Sequence, residues 1–417
     1  MRISLRQVDP AVDRLIKEEE RRQKNTLSLI ASENYASETS LEVQASIMAN
    51  KLAEGYIGSR ECAGCEVIDK VERLAIDRAK VLFRAEHVNV QCPTATQANM
   101  AVYTALLKPG DRVLAPRIGH GGHFSHGSTR HISGRVYTFF HYGVSRETEQ
   151  IDFEEVERIA TEKKPKLIVA GMSAYPRKID FSQFRKVANK VGALLMADIA
   201  HIVGLIIARL HPDPTPYADA VTSSTHKTFR GPRGGGIILC KKKFARAIDE
   251  AVFPGTQGAP LMNLIASRAV LFKEAMSPKF RRYQGQVVEN AKTLADVIAS
   301  NGIRLVSGGT DTHLMLIDLS GRDLNGKEAE KLLYSVGIAT NRNLIPYDSK
   351  PSHITSGVRL GTAALTTRGM KKLEMEEIGN LISEVLRFPS KRSIHRDVAE
   401  KVSSIAREFP LFSPEWE

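Results

Sequence analysis

The chain predicts an α/β fold built on a mainly parallel sheet. Three observations carry that reading. Short apolar runs recur between residues 112 and 223, stripes of helical spacing separate them, and two chemically suggestive residues, Asp198 and Lys227, fall just past the ends of such runs. Ligands of open parallel sheets gather beyond the carboxyl ends of the strands, so the third observation agrees with the first two.

In chain order, residues 10–24 read as a charged helical arm, followed by Leu27-Ser-Leu-Ile-Ala-Ser-Glu-Asn34 and a Gly-rich segment from Gly55 to Gly64. Apolar residues then recur at Val67, Val71, Leu74, Ala75, Ala79 and Leu82, the spacing of an amphipathic helix. Residues 112–115, 166–170, 193–197 and 218–223 resemble buried strands, and Phe184, Val187, Ala188 and Val191 form a helical stripe between two of them. Long helices follow around 260–285. The remainder, with Arg304-Leu-Val306 and His313-Leu-Met-Leu-Ile-Asp318, reads as a smaller α+β unit. The expected division is an N-terminal arm over 1–45, a large cofactor-binding domain over 46–270 and a small C-terminal α+β domain over 271–417.

Composition is that of an ordinary globular protein, 42% hydrophobic and 25% charged. No apolar run approaches the roughly 20 residues that span a bilayer. Residues 1–24 lack the apolar core of a secretion signal, so the cytoplasm is the expected compartment and no membrane partner is expected. Four cysteines are too few for a disulfide framework. The 59 basic and 47 acidic residues give a net charge of +12. Nucleic-acid binding is one account of that excess, but the basic residues are dispersed, with Lys241-Lys-Lys243 the only tight triplet. A field favouring small anionic substrates is the better account, and no nucleic-acid partner is expected.

The richest segment is Val221-Thr-Ser-Ser-Thr-His-Lys-Thr-Phe-Arg-Gly-Pro-Arg-Gly-Gly-Gly236. Lys227 follows a strand-like run ending in hydroxyl residues and precedes glycines that let backbone approach a phosphate. A lone lysine would be read as a solvated charge. Asp198, closing the apolar run before it, changes the balance: an imine-forming lysine with a carboxylate for a pyridine nitrogen is the requirement of pyridoxal 5'-phosphate chemistry. Ring-stacking candidates lie in His120-Gly-Gly-His-Phe-Ser-His126. The alternative reading of these histidines as a metal site lacks a nearby carboxylate.

Leu29-Ile-Ala-Ser-Glu-Asn34, Ala53-Glu-Gly-Tyr56, His120-Gly-Gly-His123, Ser173-Ala-Tyr-Pro-Arg177, Asp198-Ile-Ala-His201, Thr225-His-Lys-Thr228, Gly231-Pro-Arg-Gly-Gly235 and Ser356-Gly-Val-Arg-Leu-Gly-Thr362 occur in one order. That ordered set resembles the serine hydroxymethyltransferases, from about residue 8 to the C-terminus. The resemblance implies an aspartate aminotransferase-like, fold-type I transferase that cleaves L-serine to glycine and passes the one-carbon unit to tetrahydrofolate. It implies that Lys227 carries the cofactor, Asp198 holds the pyridine nitrogen, His123 stacks on the ring, and Ser173 and His201 contact the ring oxygen. Thr94 and Ala95 would lie at the phosphate cradle. Arg359, helped by Ser32, would grip the substrate carboxylate, Glu54 would be the acid–base group and Asn343 a folate contact. Gly255 and Gly258 match a loop that reaches the neighbouring subunit's phosphate, so a homodimer with shared active sites is expected.

Elementary chemistry supports several of these roles. An arginine fork binds a carboxylate through two parallel hydrogen bonds, each charged contact contributing about 1.5–3 kcal/mol. A carboxyl group that moves protons near neutrality needs a crowded or apolar site.

Four departures stand out. Leu52 occupies a position where the family has a phosphate-holding tyrosine, and Glu61-Cys62 replaces a tyrosine pair that serves folate and substrate. Cys92-Pro-Thr-Ala-Thr96 replaces Pro-His-Ser-Gly and a small residue, and Ala259 replaces a glycine of the phosphate loop. Loss of a phosphate contact costs about 1.5–3 kcal/mol, so weaker cofactor retention than in a typical member is expected. Cys62-Ala-Gly-Cys65 is a CxxC pair, which could be redox-active or half a zinc site; with only Cys92 and Cys240 as further partners, coincidence is the favoured reading.

Two enzymatic readings therefore stand: a tetrahydrofolate-dependent hydroxymethyltransferase, and a folate-independent aldolase or transaldolase acting on L-threonine or another β-hydroxy-α-amino acid. A non-catalytic nucleic-acid binder on an old enzyme fold is the distant third.

Overall fold

The computed structural model describes residues 4–416. Seven strands form the central sheet: His87–Asn89, Arg112–Pro116, Thr138–Tyr142, Leu167–Ala170, Leu194–Asp198, Ala220–Ser224 and Gly236–Cys240. Named by first residue, their order across the sheet is His87, Gly236, Ala220, Leu194, Leu167, Arg112, Thr138. The five from Ala220 to Thr138 pair in parallel, while Gly236–Cys240 runs antiparallel to both its neighbours.

Strand periodicity divides the sheet's side chains between two cores. Along Leu167–Ala170, Leu167 and Val169 enter one core while Ile168 and Ala170 enter the other. Burial on both faces explains why Leu167–Ala170 reads as an unbroken apolar run. Helices Glu66–Phe83, Phe181–Val191 and Met262–Ala275 cover one face, and Ala95–Leu106 with Ala245–Val252 cover the other.

A second centre is a three-stranded antiparallel sheet of Leu314–Asp318, Gly357–Gly361 and Asn341–Asn343. Helices Pro278–Ser300, Lys372–Arg387 and Arg392–Glu408 pack around it. Leu27–Ser28 pairs in parallel with Ile338–Ala339, which buries Leu27 and Leu29 in this same core. Arg304-Leu-Val306 contributes only an isolated bridge, Leu305 to Ile317, and a short 3-10 turn.

The arm helix spans Pro10–Asn25 and buries nothing. Its start is fixed by Asp9, whose carboxylate accepts from the amides of Ala11 and Val12, both at 3.0 Å, with Pro10 in the first turn.

One sequence expectation is corrected. The helix at 66–83 forms, but its buried face is Ile68, Glu72, Ala75, Ala79 and Phe83, whereas Val67 and Leu74 are exposed. The face turns because Glu72 is drawn inward by Arg60 and by Gln91, whose amide donates to its carboxylate at 2.8 Å. A buried carboxylate with two partners is tolerated where an unpaired one would not be.

Candidate active site

Two parallel strands deliver the central groups. Leu194–Asp198 ends on Asp198, and Ala220–Ser224 ends three residues before Lys227. Both therefore stand at the carboxyl edge of the sheet, on a cavity of about 450 Å³. A second cavity of about 350 Å³ shares Ser32, His123, Ser173, His201 and Lys227 with the first and reaches Asn343 and Arg359.

Three donors enclose Asp198. Its carboxylate accepts from Asn99 Nδ2 at 2.9 Å, from His126 Nε2 at 3.1 Å and from the Ala200 amide at 3.0 Å. Burial by itself would raise this carboxyl group; the hydrogen bonds and charges of its neighbours, His126 foremost, prevail and hold it well below the usual carboxylate range. Asn99 is oriented in turn by Thr222, and His126 by the Tyr103 hydroxyl at 2.6 Å. The result is a persistent anion facing a cavity.

Lys227 is the opposite case. Burial pushes its ammonium down to about 8, against the raising effect of Asp198 and with the help of Arg359 and Arg233. Its turn is held tightly. The Lys227 carbonyl accepts from Asn34 Nδ2 at 2.8 Å and from the Arg230 amide at 3.0 Å, and the Thr228 carbonyl accepts from Gln284 Nε2 at 2.5 Å.

The far end of the first cavity is the start of helix Ala95–Leu106. Thr94 caps it, accepting from the Gln97 amide at 3.1 Å, and both Thr94 and Ala95 line the cavity. A helix N-terminus with free amides favours an anion. Backbone closes in here: a Cβ on Gly236 would sit 2.3 Å from the Thr94 carbonyl oxygen, and one on Gly235 would sit 1.9 Å from Thr225 Oγ1. His226 Nδ1 is buried without a partner among the described residues.

Arg359 lies on strand Gly357–Gly361, nearly enclosed. It donates to the Ser173 carbonyl at 2.7 Å and to Asn341 Oδ1 at 3.2 Å, and no carboxylate pairs with it among the described residues. Burial pushes it down to about 10. A buried cation with only neutral protein partners is a site for an external anion.

His123 lines both cavities, bonded through Nδ1 to Ser125 Oγ at 2.7 Å, and burial lowers it to about 4, so the ring is neutral at pH 7. Its neighbours in sequence serve elsewhere: His120 packs on Tyr347 at 4.5 Å between ring centres, and His126 supports Asp198. His201 meets His313 at 3.4 Å.

Glu54, Gly255 and Gly258 line neither cavity of this chain. Gly258 neighbours Glu54, since a Cβ on it would sit 3.3 Å from Glu54 Oε1. Glu61 and Leu52 are exposed. Sequence reasoning assigned no role to Asn99, His226, Arg233 or His313. The one available signal was Asn99, a lone amide inside the apolar stretch Ala98-Asn-Met-Ala-Val102.

The donor set fits pyridoxal phosphate: a poised amine, a permanent carboxylate opposite it for a cationic ring nitrogen, and an amide-rich end for a phosphate. A mainly parallel sheet carrying these groups at its carboxyl edge defines a pyridoxal phosphate enzyme of fold type I. The family model for serine hydroxymethyltransferase matches residues 5–382, and the chain belongs to that family. Among the described residues no helix is long and apolar enough to cross a membrane.

Proposed function

We propose that this enzyme converts L-serine to glycine and transfers the one-carbon unit to tetrahydrofolate. The observation that carries the proposal is Arg359, a buried guanidinium with no acidic partner among the described residues, on a cavity that Lys227 also lines. When bound, the cofactor supplies an electron sink for the bond broken at the α-carbon.

The chain's own groups do the rest. Arg359, with Ser32, would bind the amino acid's carboxylate and so orient its α-carbon bonds toward the cofactor. Asp198 would keep the ring nitrogen of the bound cofactor protonated, His123 would lie against the ring, and Ser173 and His201 would hold the ring oxygen. Thr94 and Ala95 receive the phosphate. Lys227, with its amine near neutrality, accepts or returns a proton at low cost. Asn343, on the wall of the second cavity, faces the space for folate.

Glu54, Gly255 and Gly258 complete the site in a second copy of the chain. Glu54 takes the β-hydroxyl proton as the carbon–carbon bond breaks, and the loop of Gly255 and Gly258 closes on the phosphate. The enzyme acts as a homodimer in the cytoplasm, with an arm over 1–45, a large domain over 46–270 and a small domain over 271–417.

A second reading is a folate-independent aldolase or transaldolase for L-threonine or a related β-hydroxy-α-amino acid. Exposed Leu52 and Glu61, with Cys62 beside them, favour it, because no aromatic pair stands there to hold a folate. Incubation with L-serine, with and without tetrahydrofolate, and with L-threonine alone separates the two. Glycine formed from serine only with tetrahydrofolate supports the proposal; rapid threonine cleavage with no folate effect on serine overturns it.

A further inference from the structure

Cys62 and Cys65 bracket the turn that leads into helix Glu66–Phe83, and Cys65 is the residue at its N-cap. Their sulfur atoms lie 3.7 Å apart. Cys62 is half-exposed while Cys65 is buried, so an external reagent meets Cys62 first. Lys51 places its ammonium 3.7 Å from the Cys62 sulfur and anchors on the Ala63 carbonyl at 2.9 Å. The other two thiols, Cys92 and Cys240, are buried and pushed up to about 12, chiefly by that burial. Proximity, one accessible sulfur and an adjacent cation are the requirements for exchange with a disulfide.

Cys62 also holds backbone, whereas the Cys65 sulfur lies nearest the Cys62 carbonyl, at 3.4 Å. Cys62 Sγ approaches the Leu52 carbonyl at 3.2 Å and Cys65 Sγ approaches it at 3.9 Å. Leu52 stands two residues before Glu54, and the Glu61 amide donates to the Glu54 carbonyl at 3.1 Å. Cys62 is thus one tether of the loop that carries Glu54, alongside Arg60, whose guanidinium donates to the Ala53 and Gly55 carbonyls.

We propose that Cys62 and Cys65 form a reversible thiol–disulfide switch, closed by low-molecular-weight disulfides, that releases the Glu54 loop. The Cys62 thiolate attacks one sulfur of the small disulfide, forming a mixed disulfide and expelling one thiolate. The Cys65 thiolate then attacks the Cys62 sulfur and expels the second. The sum is one protein disulfide and two small thiols, with the two protein protons passing to the products. A disulfide carries no S–H, so the Leu52 carbonyl loses its Cys62 donor. The effect on turnover rests on the role proposed for Glu54; the exchange chemistry does not.

The test treats the full-length protein with oxidised glutathione and with dithiodipyridine, reading intact mass and disulfide-linked peptides. Expected are a mass lower by two hydrogens, a Cys62–Cys65 cross-link, unmodified Cys92 and Cys240, and reversal by dithiothreitol. Cys65→Ser should stop at a mixed disulfide on Cys62, and Cys62→Ser should resist both reagents. A stable adduct on Cys62 of the unaltered protein, a link between chains, or no reaction overturns the switch. These readouts need neither cofactor nor substrate, so they stand apart from the proposed reaction. Turnover of the oxidised protein should fall by roughly a hundredfold, the lower end of what a positioned acid–base group contributes, and recover on reduction. Closure of the disulfide with turnover unchanged overturns the link to Glu54.

Discussion

Lys227 and Arg359 are two buried cations left with different tasks by their neighbours. Lys227 faces Asp198 across a cavity and is lowered to about 8, so its free amine grows as pH rises through that value. Capture of pyridoxal phosphate by the apoprotein, followed by absorbance, should accelerate with pH around a midpoint near 8 and level off above it. A midpoint near the ordinary lysine value would mean the side chain is solvated. Replacing Arg359 by Ala should raise KM for L-serine by roughly ten- to hundredfold, the equivalent of about 1.5–3 kcal/mol, with Arg359→Lys recovering part of the loss. An unchanged KM would place carboxylate binding elsewhere. Lys227 and Asp198 were legible in the sequence because each ends a recognisable run. The role of His126 was not, and that of Asn99 was signalled only by its place in an apolar stretch, because both act through a contact with Asp198 that no local pattern encodes.

At the scale of elements, the cofactor-facing edge depends on backbone closeness. Gly171 has φ of 143° and a Cβ there would lie 2.0 Å from the Asp198 carbonyl oxygen. Gly171→Ala must therefore strain its own turn and push the strand that ends on Asp198. We expect a lower urea midpoint and weaker cofactor retention together, whereas a variant with both unaltered would show the edge to be pliable. Thr94→Ala removes the cap of helix Ala95–Leu106 and should cost about 1 kcal/mol in urea unfolding. The strands at 112–116, 167–170 and 194–198 were legible because burial on both faces makes their centres apolar, and 220–224 because its small residues follow the apolar start Ala220-Val221. The face of helix Glu66–Phe83 was not, because Glu72 looks solvent-directed until Arg60 and Gln91 are brought to it by the fold.

For the whole molecule, the buried histidines set an acid limit. Burial lowers His123 to about 4 and His226 and His313 to about 3, and it pushes His201 down as well. An unfolded histidine takes its proton near pH 6.5, so between that value and about 4 the unfolded chain binds protons that the folded one refuses. Stability is whole above pH 6.5 and declines as pH falls through this window. Urea midpoints of the apoprotein should drop steadily from pH 6.5 to 4; a flat profile would show these rings to be solvated. The change of pattern near residue 260 is readable in the sequence, but the pairing of Leu27–Ser28 with Ile338–Ala339 is not, since so short a strand has no periodicity to read. The central claim is that the ε-amine of Lys227 is the group that bonds covalently to pyridoxal phosphate. Borohydride reduction of the loaded protein followed by peptide mapping tests it most directly. The account predicts the reduced label on Lys227 alone; no label, or a label on another lysine, would contradict it.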